Sequence, residues 1–204
     1  MNVMLWVAVV LAGYLLGTLN GAILISKWLM HDDVRTHGSG NAGLTNFFRT
    51  YGGIVTLLVI GIDVAKCVLA CLLGRWLLPE YGIQAVMAAG VAVIFGHSYP
   101  VFAGFRGGKG ILCGAALAGC ADWRVLAIIL GVFLIAVILT RFVSLGSVLA
   151  ATAFAVSFCC FYWGNWVVCI LAVLAAAFVI LRHRQNIVRL IQGTESKLTF
   201  HKKG

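Results

Sequence analysis

Charge is what this chain has least of. Only 10% of its 204 residues are Asp, Glu, Lys or Arg, against 62% hydrophobic, and the mean hydropathy is +1.05. Soluble domains are about a quarter charged, so a soluble globular fold is excluded and an integral membrane protein is expected. Acidic residues are the scarcer sign, six against fifteen Lys and Arg. Proline occurs twice. Cysteine is present seven times, at positions 67, 71, 113, 120, 159, 160 and 169, but with no C-x-x-C pair and no Cys/His ligand spacing. Most of these sit in apolar runs as small membrane-embedded residues. There is no Asn-x-Ser/Thr acceptor. No basic n-region or small-residue cleavage site precedes a mature domain, so residues 4–26 read as a retained span rather than a signal peptide.

What is there is a series of apolar runs. Residues 4–26 carry no charge and are long enough to cross about 30 Å of hydrocarbon. Residues 54–78 and 83–95 are the second and third spans, separated by a short turn at 78–82. Residues 111–121 form only a short apolar segment, roughly 16 Å of helix, which predicts a short or re-entrant-like helix. Residues 125–140, 144–163 and 167–181 complete the set. Asp63 and Lys66 stand three residues apart on one face of the second span, where charge marks a functional interior or an internal ion pair.

The basic residues fix the topology. If all seven segments span, twelve of fifteen Lys and Arg fall on one side: Lys27, Arg35, Arg49, Arg106, Lys109, Arg141, Arg182, Arg184, Arg189, Lys197, Lys202 and Lys203. The positive-inside rule makes that side cytoplasmic. The sequence therefore predicts an all-α integral membrane protein of seven transmembrane helices, N-terminus outside and C-terminus cytoplasmic. Residues 1–204 form a single polytopic domain. This topology brings residues 38–49, 97–114 and 182–190 to one face.

The first of these strips, GSGNAG at 38–43, matches G-x-G-x-x-G, but no strand precedes it and a dinucleotide fold is excluded. Gly38, Gly40 and their neighbours can form a nest of N–H groups for an anion. Ser39, Asn41, Thr45 and Asn46 add neutral donors, and Arg49 adds a planar fork suited to phosphate. A wet connecting loop has the same composition. The second strip sets Arg106 and Lys109 among Gly104, Gly107, Gly108 and Gly110. It fails the Walker A pattern, because Ala103 stands where Gly is needed and Gly110 where Ser or Thr is needed. What remains is a basic glycine-rich turn suited to phosphate, or a small-residue packing site. The third strip places Arg182, Asn186 and Arg189 on one helical face, with His183 at its border. An interfacial helix with basic anchors has the same pattern.

Three motifs, GSGNAGLTNFFR (38–49), GHSYPVFAGFRGGKG (96–110) and RHRQNIVRL (182–190), resemble those of the bacterial acyl-phosphate:glycerol-3-phosphate acyltransferase (PlsY) family. Order, spacing and intervening hydropathy are similar over nearly the whole chain. The resemblance implies an inner-membrane, multi-pass enzyme with its site facing the cytoplasm. Such an enzyme transfers an acyl group from acyl phosphate to the sn-1 hydroxyl of glycerol 3-phosphate, the first step of phospholipid synthesis. The products would be lysophosphatidic acid and inorganic phosphate. Its partners would be those two substrates and membrane lipids, with no nucleic acid, cofactor or metal. By this resemblance Ser39, Arg49, Lys109, His183 and Asn186 are catalytic. Gly38, Gly40, Asn41, Thr45, Asn46, Arg106, Gly107, Gly108, Gly110 and Arg182 bind substrate. The proton of the attacking hydroxyl could pass to His183 or to a substrate phosphate.

The chain departs from that pattern in having Ala42 where Pro is common, Leu44 where Ala is common, and Cys113 where Thr is usual. Cys113 is also a conceivable acyl-enzyme nucleophile. The H-x-x-x-x-D acyltransferase signature is missing, since His31, His37, His97 and His183 lead to Thr36, Ala42, Phe102 and Val188. A rival class, a small transporter or channel for an anionic solute, could use the same basic loops. The lack of internal repeats leans against it.

Overall fold

The computed structural model describes residues 3–198, so Lys202 and Lys203 lie outside the described residues. Among these, α-helices and short 3-10 turns are the only regular elements. Five helical stretches are long and apolar enough to cross a membrane, six if a pair bent by 57° counts as one. The chain is an all-α integral membrane protein.

The first span is not the single helix that hydropathy predicts. It is broken into α1 (Val3–Thr18) and α2 (Gly21–Trp28). Asn20 caps α2, its Oδ1 accepting from the Ile23 N–H at 3.1 Å. Hydropathy misses the break because the residues on both sides of it are apolar. The strip that follows is not all loop either: α3 (Leu44–Tyr51) runs over the surface with Arg49 in its last turn.

α4 (Val55–Leu77) carries Asp63 and Lys66, both buried. Lys66 Nζ donates to Gly17 O (3.2 Å), Leu19 O (3.0 Å) and Asp63 Oδ1 (2.7 Å), while that carboxylate oxygen also accepts from Gly21 N–H at 3.1 Å. The pair thus caps both sides of the break: the ammonium takes the carbonyls of Gly17 in α1 and Leu19 just after it, and the carboxylate takes a freed amide of α2.

α5 (Ile83–Ser98) is the central helix, packed on α1, α4, α6 and α9, with 13 of its 16 residues buried. Its seam with α1 closes to backbone contact at Gly17 and Gly96. A Cβ on Gly96 would stand 2.1 Å from Tyr14 O, and one on Gly17 would stand 2.4 Å from Val93 O.

α6 (Ile111–Ala121) is short, then α7 (Trp123–Thr140), α8 (Val143–Phe161) and α9 (Trp166–Arg182) form an antiparallel series. α10 (Arg184–Ile191) follows the bend at His183. One end of the bundle is tied by Arg75 to Cys120 O, Tyr162 to Asp122 (3.0 Å) and Gln84 to Asn165 (3.1 Å). Trp76, Trp123, Trp163 and Trp166 are exposed at that end, as a belt at a membrane–water interface is. The opposite end carries the α1–α2 break, α3, the glycine-rich turn and α10.

Candidate active site

A cavity of about 860 Å³ opens where α3, the turn before α6, and the α9–α10 bend meet. Its lining joins all three polar strips. From the sequence-predicted set it includes Gly38, Ser39, Asn41, Thr45, Asn46, Arg49, Lys109, Gly110, His183 and Asn186. Gly40, Arg106, Gly107, Gly108 and Arg182 stand outside the lining.

The structure gives several of these residues specific structural contacts. Asn46 is 5% exposed; its Nδ2 donates to Val34 O and His37 O, both at 3.0 Å, and its Oδ1 accepts from Ser39 N–H at 3.0 Å. It pins the first strip and presents Ser39. Arg182 lies behind the glycine-rich turn, over the Tyr99 ring at 4.8 Å and donating to Gly108 O at 3.2 Å. Arg35 braces the first strip to the second, held by Asp33 at 2.7 Å and donating to Ala103 O at 2.7 Å. The N–H groups of Gly107 and Gly108 are already used, donating to Ser98 O (3.2 Å) and His97 O (3.1 Å). A Cβ on Gly108 would stand 2.1 Å from His97 Nε2, so close packing on His97 is what these glycines allow.

Lys109 projects between the walls. Its Nζ donates to Asn186 Oδ1 at 2.5 Å. Burial pushes its ammonium down to about 8, and the nearby Arg189, Arg182 and Arg49 push the same way while Glu195 opposes them. Asn186 in turn donates from Nδ2 to Glu195 Oε1 at 2.8 Å, and Arg189 Nε donates to Glu195 Oε2 at 2.7 Å. Burial raises the Glu195 carboxyl, but the bonds from Asn186 and Arg189 outweigh it and leave it below its ordinary value. Arg49 reaches across to Ser196 O at 3.2 Å, so the tail closes one rim. His183 is 3% exposed, and its Nδ1–H donates to Val179 O at 2.8 Å. In the neutral ring this leaves Nε2 as an acceptor.

Below this basic rim the cavity turns apolar. α8 contributes Ser144, Ser147, Ala150, Ala151 and Phe154, a stripe at helical spacing, and α9 contributes Ala175, Ala176 and Val179. Ile129 and Phe133 of α7 complete that half. A basic mouth continuous with an apolar groove between α7, α8 and α9 is suited to a phosphate joined to an acyl chain.

Sequence reasoning missed His97, Glu195, Ser144 and Ser147 among the lining residues. Glu195 could have been suspected as the lone acid of a basic tail, and the two serines as i, i+3 polar positions in an apolar span. Cys113 is fully buried behind the cavity, its Sγ 3.9 Å from Asp63 O, and does not line it. Asp63, His97 and Cys113 bring three potential metal-ligand atoms within 4.8 Å. Lys66 Nζ, 2.7 Å from Asp63 Oδ1 and 3.0 Å from His97 Nδ1, already fills the place a cation would take.

A family model described as glycerol-3-phosphate acyltransferase matches residues 7–193. The glycerol-3-phosphate acyltransferase of Thermoanaerobacter sp. (strain X514) is 39% identical over 185 residues, covering 91% of each chain. That of Halalkalibacterium halodurans is 40% identical over 194 residues, covering 93% of each. Among solved structures, the fold is similar to crystal structures of PlsY, an integral membrane glycerol 3-phosphate acyltransferase. Its glycerol 3-phosphate form aligns with a TM-score of 0.87 at 32% identity, covering 95% of this chain and 96% of that one. Its lysophosphatidic acid form aligns at 0.83 and 31% identity, covering 95% of each.

Proposed function

The chain belongs to the glycerol-3-phosphate acyltransferase family, and from that premise we propose that it acylates the sn-1 hydroxyl of glycerol 3-phosphate with an acyl phosphate as donor. The observation that carries the donor reading is the single cavity in which a basic mouth runs into an apolar groove. An acyl phosphate has its phosphate and its chain joined at the reacting carbonyl, so it fits across that boundary. Ser39, Arg49 and Lys109 bind phosphoryl oxygens, with Gly38, Asn41, Thr45 and Gly110 around them, and Asn186 aligns the Lys109 ammonium. Asn46 acts by holding Ser39. Gly40, Gly107, Gly108, Arg106 and Arg182 act from outside the cavity, by shaping and bracing the loops.

The donor is a mixed anhydride with a good leaving group, so positioning and charge stabilisation suffice for the reaction. The glycerol hydroxyl oxygen forms the new C–O bond at the carbonyl, the bond from that carbonyl to the phosphate oxygen breaks, and phosphate departs. The hydroxyl proton leaves with the phosphate, giving lysophosphatidic acid and hydrogen phosphate. The bare Nε2 of His183 accepts a hydrogen bond from the hydroxyl and orients it.

The topology belongs to the same proposal. The ties at the tryptophan end include both α6 and α7, and α6 starts at the glycine-rich turn of the other end. This supports seven passes, with α6 as a short one. Lys and Arg concentrated at the site end support an N-terminus outside, a C-terminus in the cytoplasm and a cytoplasm-facing site in the bacterial inner membrane. Residues 1–204 act as one catalytic unit.

Purified protein in detergent or lipid cubic phase, given glycerol 3-phosphate, tests the donor. Palmitoyl phosphate is expected to support turnover and palmitoyl-CoA is not. Turnover with palmitoyl-CoA alone would reverse the donor assignment.

A further inference from the structure

His97 lies at the end of α5, 4% exposed, beneath the glycine-rich turn, and lines the cavity together with Asp63. The described mechanism makes no use of it. Two donors point at its Nδ1: Lys66 Nζ at 3.0 Å and Asn20 Nδ2 at 3.4 Å. The Asp63 carboxylate is farther, at 3.5 Å, and is already engaged by Lys66 at 2.7 Å. Four acceptors surround Lys66 Nζ and share its three protons; an ammonium has no lone pair to offer, so Nδ1, facing it, accepts and the ring proton sits on Nε2. That Nε2–H has no hydrogen-bond partner among the described residues. Nor does it belong to the buried side-chain atoms sealed off without one. It stands against the Cα of Gly108, one residue from Lys109.

We propose that His97 is a further substrate-contacting residue, which donates its Nε2–H to a phosphoryl oxygen beside Lys109, and that Lys66 and Asn20 hold it in that tautomer from below. The inference rests on the reading of the cavity as a site for phosphorylated substrates. It gives the buried ion pair a second task. The Asp63–Lys66 pair caps the broken first span, and through Nδ1 it fixes which ring nitrogen carries the proton. Asn20 ties the same point to the first strip, donating to Ala42 O at 3.1 Å. The helix break thus sits directly under the junction of two phosphate-binding loops. A glycine at 108 is what lets the ring reach the cavity.

Two substitutions separate the ring's two ends. His97→Asn keeps an acceptor near Nδ1 for Lys66 and removes the Nε2 donor. His97→Gln extends an amide toward the Nε2 position. The His97→Asn protein is expected to unfold thermally near the wild type and to raise one KM by about tenfold to a hundredfold, the range for a hydrogen bond to a charged group. His97→Gln recovers much of that loss. A rise in KM for glycerol 3-phosphate or for palmitoyl phosphate identifies which phosphate His97 meets. A folded His97→Asn enzyme with both constants unchanged overturns the proposal.

Should both variants fail to fold, wild-type protein labelled with ¹⁵N-histidine decides by nuclear magnetic resonance. The expected spectrum shows His97 protonated at Nε2, with that signal moving on addition of glycerol 3-phosphate or inorganic phosphate. Protonation at Nδ1, or no response to either anion at saturation, refutes it. If the wild type turns over neither donor, the acyltransferase reading has failed separately, and the titration with inorganic phosphate still tests His97.

Discussion

Lys109 is the residue on which the electrostatics of the cavity turn. It is bonded to Asn186, and burial, joined by the nearby Arg189, Arg182 and Arg49 and opposed by Glu195, brings its ammonium down to about 8. The sign follows directly: below that value Lys109 is charged, as its proposed role against a phosphate dianion requires, and above it the free enzyme loses that charge. KM for the phosphorylated substrates should therefore climb as pH rises from 7 to 9. The value of kcat should change less, because a bound dianion favours the charged lysine. Lys109→Arg should flatten the rise, because a guanidinium stays charged throughout. A pH series of initial rates at varied substrate checks both. Lys109 was legible in the sequence because basic residues among glycines are rare in a chain with 10% charge. Glu195 was legible only as the lone acid of a basic tail, since nothing local in residues 193–198 says that the tail folds back to bond Asn186 and Arg189.

At the scale of elements, the broken first span is the feature that hydropathy could not reveal. The sequence shows Asp63 and Lys66 three residues apart on one helix face, which leaves their partners open. Their task becomes clear only when α4 is packed against the α1–α2 break, where they take the freed carbonyls and amide. Removing one partner leaves a buried charge alone and the break uncapped. Lys66→Met should lower stability by about 3–5 kcal/mol. Asp63→Leu combined with Lys66→Met should lose less than the sum of the two single changes, by a coupling of at least about 1 kcal/mol. Unfolding titrations of the four proteins in one detergent measure this, and strict additivity would argue that the two residues act independently. α6 was legible as short and ambiguous. Only its contacts at both ends relate it to the two faces of the bundle.

The whole molecule is a bundle whose one end is tied by side-chain hydrogen bonds and short turns under a belt of exposed tryptophans, and whose other end holds a shared cavity. Its fold class followed from composition, because an apolar chain with so little charge has no soluble solution. The convergence of three polar strips followed from the distribution of Lys and Arg. The apolar half of the cavity did not, because Ala150, Ala151, Ala175 and Ala176 read as ordinary span residues until α8 and α9 are placed side by side. That groove makes a prediction of its own. Ala151→Phe should raise KM for palmitoyl phosphate about tenfold while sparing octanoyl phosphate and leaving KM for glycerol 3-phosphate unchanged, since it fills the groove and not the mouth. A donor-length series on the variant checks this.

The central claim is that one basic cavity transfers the acyl group between two phosphorylated substrates. Its most direct test is the stoichiometry of products from purified protein given palmitoyl phosphate and glycerol 3-phosphate, in the wild type and in Lys109→Ala. The wild type should form lysophosphatidic acid and inorganic phosphate one for one, with none released when glycerol 3-phosphate is omitted. Lys109→Ala should lose at least about a hundredfold in rate. Phosphate release without the acceptor, or equal turnover by the wild type and Lys109→Ala, would contradict the account.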